Sequence, residues 1–438
     1  MARLQKGIYY HREIFHTNPE ILSKSSRSRN DSFGILFLSA AEGSTADQVG
    51  ESVSKLWKMY KSLEKGKVRD LPNCPVPSGE LSVLIGYGPS TFNLPGAKKK
   101  IPNDLKGSQF LAPNNNGGAI LYGSGINYAS GDSRNLGLNE HIVIQFISNT
   151  QLATNRAIIE TWKHLRDNKS QKEEPLCITK CYTGFQRDDG RSWLGFHDEV
   201  SNMRPGKERE EAITINKQNN NLSHKDRWTT GGTYMAFLRI EIDVDIWDKI
   251  KQKQQECIVG RGKLTGRPLI GIDKKGNPIM SKRCPTASQI KDYNKRFHDH
   301  ADFFKETNIS RKNNSIMNIR ASSTILNQSH IGRTRHLDGI PSGDPTSRLI
   351  YRQGFDFLEV LENHLKPFRV GLNFVSFQND PGRLFFILTD PSWMGNTNFG
   401  SNSDLPGMDR LLSVHGAGVF FVPPDASHFL VLAYSYDV

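Results

Sequence analysis

The stretch Trp193-Leu194-Gly195-Phe196-His197-Asp198-Glu199-Val200-Ser201-Asn202, WLGFHDEVSN, sets an imidazole beside a carboxylate just after a Gly-Phe corner. Such groups can move protons, the carboxylate as a base when ionised and the imidazole as acid or base near neutral pH. Taken alone, carboxylates next to glycine mark a solvated turn more often than a catalytic loop. Thiol chemistry has less support. Cys74, Cys177, Cys181, Cys257 and Cys284 are odd in number and scattered, which fits free thiols better than a disulfide framework. Only CITKC brings two together; its three-residue spacer is not that of a Cys-x-x-Cys redox motif, and no second pair completes a zinc site.

The elements that must position these residues come in two series. FGILFLSA (Phe33 to Ala40) predicts a buried strand, followed by a helix whose apolar residues Val49, Val53, Leu56, Trp57, Tyr60 and Leu63 recur at helical spacing. Ser44 and Asp47 read as its capping box. LSVLIGYG and HIVIQFIS are further strands, the second running into a helix with Leu152, Ile158, Ile159, Trp162 and Leu165. After the polar linker NKQNNNLSHKDR the series restarts. YMAFLRIEI is a strand with Ala236, Leu238, Ile240 and Ile242 on one face, and Trp247 and Ile250 belong to the next helix. A helix around Ala287 to His298 and the strands GLNFVSFQ and GAGVFFVP follow. Two such halves predict a duplicated α+β unit, most simply ferredoxin-like sheets with helices on one face, divided into residues 1–222 and 223–438.

Composition agrees with two folded units, since 438 residues exceed one ordinary core and 36% hydrophobic residues suffice to fill two. No apolar run approaches a membrane span and the N-terminus lacks a signal-peptide apolar region, so the expected location is cytoplasmic. The net charge of +12 raises nucleic acid as a partner. The basic residues are dispersed without interleaved aromatics, however, and no nucleic-acid or membrane partner is expected.

Several segments, in order, resemble the dye-decolourising peroxidases, a family of b-type haem enzymes. GFHDEVSN resembles that family's Gly-Phe-x-Asp-Gly motif, with Glu199 in place of the final glycine. WTTGGTYMAFLRIEIDVDIWDKI is similar to its domain-opening strand and helix, and IVGRGKLTGRPL to the Gly-Arg turn that follows. NQSHIGRTR resembles the segment bearing the proximal haem histidine, RLIYRQGFDF the stretch with the distal arginine, and GLNFVSFQNDPGRLF a core strand near the haem. The likeness runs from about residue 30 to 438 and is strongest in the second half.

The resemblance implies two ferredoxin-like domains in a dimeric α+β barrel type architecture, with haem b held mainly by the C-terminal one. It makes His330 the axial iron ligand, in preference to His336, His298 or His300, and Asp409 the acid on its other ring nitrogen. Asp198 becomes the acid-base residue toward hydrogen peroxide, with Arg352 opposing the developing negative charge. Arg261 is a propionate anchor or an ordinary structural arginine, and Phe374 and Phe377 pack on the haem or in the core. The implied activity is peroxide-driven oxidation of bulky aromatic donors such as dyes and phenols through a ferryl intermediate. A haem-binding carrier, sensor or iron-release protein is the alternative, kept open by Glu199, and a homo-oligomer is left open.

Overall fold

The computed structural model describes residues 4–8, 32–105, 111–113, 119–121, 134–135, 140–168, 174–187, 191–196, 202–203, 206–216, 222–264, 266, 269–275, 277–280, 329–333, 347–362, 365–389 and 411–425. Its strands are β1 (Ser32–Ala40), β2 (Ser82–Tyr87), β3 (Leu111–Pro113), β4 (Ala119–Leu121), β5 (Arg134–Asn135), β6 (Ile142–Ser148), β7 (Leu176–Phe185), β8 (Thr233–Ile242), β9 (Leu269–Ile272), β10 (Pro278–Met280), β11 (Tyr351–Val360), β12 (Phe368–Gln378) and β13 (Leu412–Val422). The helices are α1 (Ala46–Leu63), α2 (Gln151–Asn168), α3 (Lys207–Ile213), α4 (Val244–Lys249), α5 (Gln252–Val259), α6 (His330–Arg333) and α7 (Gly382–Thr389).

The long strands lie in the order β2-β6-β1-β7-β11-β12-β8-β13, and β13 returns to β2. Each half of that order is the ferredoxin-like arrangement, in which the third strand of a unit separates its first from its second. The halves meet where the last strand of one pairs with the second strand of the other, at Asp356↔Phe185 and at Phe421↔Tyr87. The α+β, ferredoxin-like architecture expected from the sequence is therefore present. Gln5 reinforces the closing seam, donating to Ile85 O at 2.9 Å and Pro423 O at 3.0 Å and accepting from Ile85 N–H at 2.9 Å.

Closure gives β1, β2, β6 and β8 two buried faces. In β8, Ala236, Leu238, Ile240 and Ile242 join the outer core beneath the helices, as their alternation predicts. Met235 and Phe237 point the other way, into an inner core with Phe37, Phe355, Phe377 and Phe420. Phe377 thus packs inside the barrel. Arg239 is also buried there, bonded to Asn373 and Glu359 and stacked over Phe357 at 3.5 Å, so its charge is paired rather than stranded.

One local expectation changes. The capping box of α1 uses Thr45 and Gln48, because the Thr45 side chain accepts the Gln48 N–H and Gln48 reaches back to the Thr45 N–H. In α2, Leu152, Ile159 and Trp162 are exposed at 61%, 48% and 47%, whereas Ala153, Ala157, Thr161 and Leu165 face inward. Ile158 also lies against β1: a Cβ on Gly34 would come 2.9 Å from Ile158 Cδ1.

A group of acids near the start of β8 gives the fold a pH dependence. Tyr234 Oη donates to Asp104 at 3.3 Å, with Asp380 and Asp226 close by. Burial, and then the charge of Asp380, push the Asp104 carboxyl from 3.8 up to about 7. A carboxyl protonated in the fold and ionised in the unfolded chain means that stability falls as pH rises from about 4 to 7. Asp104→Asn is expected to reduce that fall in thermal midpoint; the same pH dependence in wild type and variant would contradict it.

Candidate functional site

His330 opens α6 against the end of α5. Gly260 terminates α5 in the left-handed conformation, φ +84°, and a Cβ there would come within 2.5 Å of Ile331 Cγ1 and Ser329 Oγ. Glycine alone allows this contact and this φ together. Ser329 and Ile331 are buried, while His330 between them keeps part of its surface open. Burial, then the positive charges of Arg352 and Arg261, push its imidazole down to about 3, so the ring is neutral at any ordinary pH. Arg261 is buried in the turn after Gly260, where its Nη1 donates to Gly266 O at 2.8 Å.

Arg352 stands on β11 opposite Ser376 of β12. On its other side β11 meets β7 only at Asp356, so among the described residues the edge at Arg352 has no strand partner. The Asn202 side chain takes that place, its Oδ1 accepting the Arg352 N–H at 3.0 Å and its Nδ2 donating to Arg352 O at 2.6 Å. Losing such partners costs about 1–3 kcal/mol for each buried group left unsatisfied. Oδ1 also accepts the Met203 N–H at 3.0 Å, and Met203 is buried in the inner core.

The stem of the WLGFHDEVSN loop is held as firmly. Phe196 packs edge-on against Trp247, ring centroids 6.2 Å apart, and Trp247 Nε1 donates to Leu194 O at 3.0 Å. Gly195 has φ +82°, and a Cβ there would meet Lys263 Cε at 2.6 Å. Arg191 Nη1 donates to Gly195 O at 2.6 Å and Lys263 O at 2.7 Å, tying the corner to the turn that follows Gly260. His197, Asp198 and Glu199 fall between these fixed ends and lie outside the described residues. So do Asp409, His298, His300, His336 and the helix expected around 287–298.

The structure therefore brings His330, Arg352 and Arg261 into one electrostatic neighbourhood. Phe374 shares the outward side of the β11–β12 pair with Arg352, Gly354 and Leu372, all half-exposed, whereas Tyr351, Gln353, Phe355, Val375 and Phe377 on the inward side are buried. Among the described residues no cluster of three or more His, Cys, Asp or Glu could hold a metal ion. One neutral imidazole with nearby cations suits a metal that brings its other ligands and its own acidic groups. The donor set fits haem in that sense. Asn202, Arg191 and Lys263 carry no sequence signal of their own beyond the place of Asn202 at the end of the motif.

The family model described as "Dyp-type peroxidase, C-terminal" matches residues 189–427, a span that takes in the WLGFHDEVSN loop as well as His330 and Arg352. Over 136 residues the chain is 29% identical to the deferrochelatase of Escherichia coli strain K12, covering 29% of this chain and 30% of that protein. The chain thus spans about 30% of the length of the curated relatives it matches. A DyP-type peroxidase from Streptomyces coelicolor superposes with TM-score 0.61 at 17% identity, covering 90% of this chain and 89% of that one. A DypB variant from Rhodococcus jostii RHA1, solved in complex with heme, gives 0.56 at 16% identity, covering 91% and 95%. Similarity at this identity shows a shared fold. Among the described residues no helix is long and apolar enough to cross a membrane.

Proposed function

Because this chain belongs to the Dyp-type peroxidase family, we propose that it is a haem b peroxidase that uses hydrogen peroxide to oxidise bulky aromatic donors such as dyes and phenols. The observation that carries the reading is the half-open, neutral imidazole of His330 lying in the field of Arg352 and Arg261. Haem, when bound, supplies the redox chemistry by which peroxide becomes water and donors lose one electron at a time.

The chain's own residues do the rest. His330 offers iron a lone pair that burial and two cations keep unprotonated. Asp409 would accept a hydrogen bond from the other ring nitrogen and hold the ring's orientation. Toward peroxide, Asp198 would take a proton from one peroxide oxygen and return it to the departing one, so that water leaves. Arg352 opposes the negative charge that grows as the O–O bond lengthens, and favours the ionised form of Asp198. Arg261 would meet a propionate. Phe374 would lie against the macrocycle.

The test is to add haemin to the purified chain, look for a Soret band, and follow peroxide-dependent bleaching of an anthraquinone dye. Bleaching that needs both haem and peroxide supports the reading; a loaded chain without turnover contradicts it. A second reading is iron removal, favoured by the relatives named deferrochelatase and by Glu199 where the motif has glycine. It would show as fluorescence of iron-free porphyrin.

An acidic optimum for dye oxidation is also expected. A carboxylate base stays competent at a pH where an imidazole base is largely protonated. A pH profile of wild type and Asp198→Asn checks this, and a wild-type limb that titrates like histidine would identify His197 or another imidazole as the base.

A further inference from the structure

We propose that Asn202 is a positioning residue for the peroxide-facing side of the site, acting through Arg352. Its carboxamide fixes the Arg352 backbone. The inference rests on the reading above, in which Arg352 faces peroxide.

At position 352 the sheet leaves a gap. Both the N–H and the C=O of Arg352 are engaged by Asn202, so its pairing with Ser376 is the non-hydrogen-bonded kind, and its polar groups face away from β12. The neighbouring strand that would normally receive them, β7, pairs with β11 only at Asp356 among the described residues. A carboxamide carries a donor and an acceptor side by side, as a peptide group does, and can stand in for one. The Met203 N–H bonded to the same Oδ1 fixes which way the amide points.

Both flanks of the clasp are anchored in the cores. Phe196 is buried in the outer core and Met203 in the inner core, and Asn202 is bonded to a strand residue 150 positions away. A shift of the clasp moves the Arg352 backbone, and with it the guanidinium, and a misplacement of about 1 Å can lower a rate by about a hundredfold.

The experiment compares haem-loaded wild type, Asn202→Ala, Arg352→Leu and the double variant. Rapid mixing with hydrogen peroxide gives the rate, and mass spectrometry gives the hydrogen exchange of the backbone amide at position 352. Asn202→Ala is expected to slow the peroxide reaction by about tenfold or more. It should also speed exchange of the amide at position 352, while Arg352→Leu leaves that amide protected. In the Arg352→Leu background, adding Asn202→Ala should cost less than about twofold further, because a residue acting through Arg352 has nothing left to position. Should Asn202→Ala fail to fold, Asn202→Asp keeps the acceptor for the N–H and loses the donor, and is expected to give a smaller loss with the same failure of the effects to multiply. Full multiplication of the two effects would overturn the proposal, as would a silent Asn202→Ala beside a slow Arg352→Leu. A wild-type rate in Arg352→Leu is a separate result and would overturn the underlying reading of the site.

Discussion

Replacing Arg352 with leucine is expected to slow the reaction of the haem-loaded chain with hydrogen peroxide by about two to three orders of magnitude, the loss seen when a preorganised donor is removed from developing charge. The substitution is clean because Asn202 binds the backbone N–H and C=O of residue 352, not its side chain, so the strand edge keeps its partner. Leucine also preserves much of the aliphatic stem. Asp198→Ala should cost less, since water can relay a proton where no side chain can replace a fixed cation. Rapid-mixing rates for the two variants test the order. A near wild-type rate in Arg352→Leu would remove the arginine from the mechanism.

Replacing His330 with alanine should have the other large effect, loss of the wild-type ferric absorption spectrum together with weaker haem retention. Burial, and then the charges of two arginines, disfavour protonation of the imidazole, so it is ready to donate a lone pair without first losing a proton. Alanine leaves a space of imidazole size there. Added imidazole should therefore restore the spectrum in part, and His336→Ala should leave it unchanged. Retention of the native spectrum in His330→Ala, with its loss in His336→Ala, would move the ligand to residue 336.

Much of this is legible in the sequence because the barrel strands are apolar on both faces: FGILFLSA and YMAFLRIEI contain enough hydrophobic residues to be recognised at any register. β7 is not, since LCITKCYTGF alternates half-buried and exposed positions and its two cysteines are its most conspicuous feature. At the site, His330 and Arg352 stand out through short segments that resemble a family, and their proximity depends on pairing between strands far apart in the chain. Asn202 shows the limit most clearly. A side chain that completes a strand edge 150 residues away leaves no local periodicity to detect.

The central claim, that a neutral His330 and a cationic Arg352 make this chain a peroxidase, is tested most directly by mixing the haem-loaded wild type with one equivalent of hydrogen peroxide and recording its spectrum over time. The expected result is a rapid change of the haem spectrum at one equivalent, reversed when an aromatic donor is added, with iron retained. No reaction with peroxide, or the release of iron-free porphyrin in place of a reversible change, would contradict it.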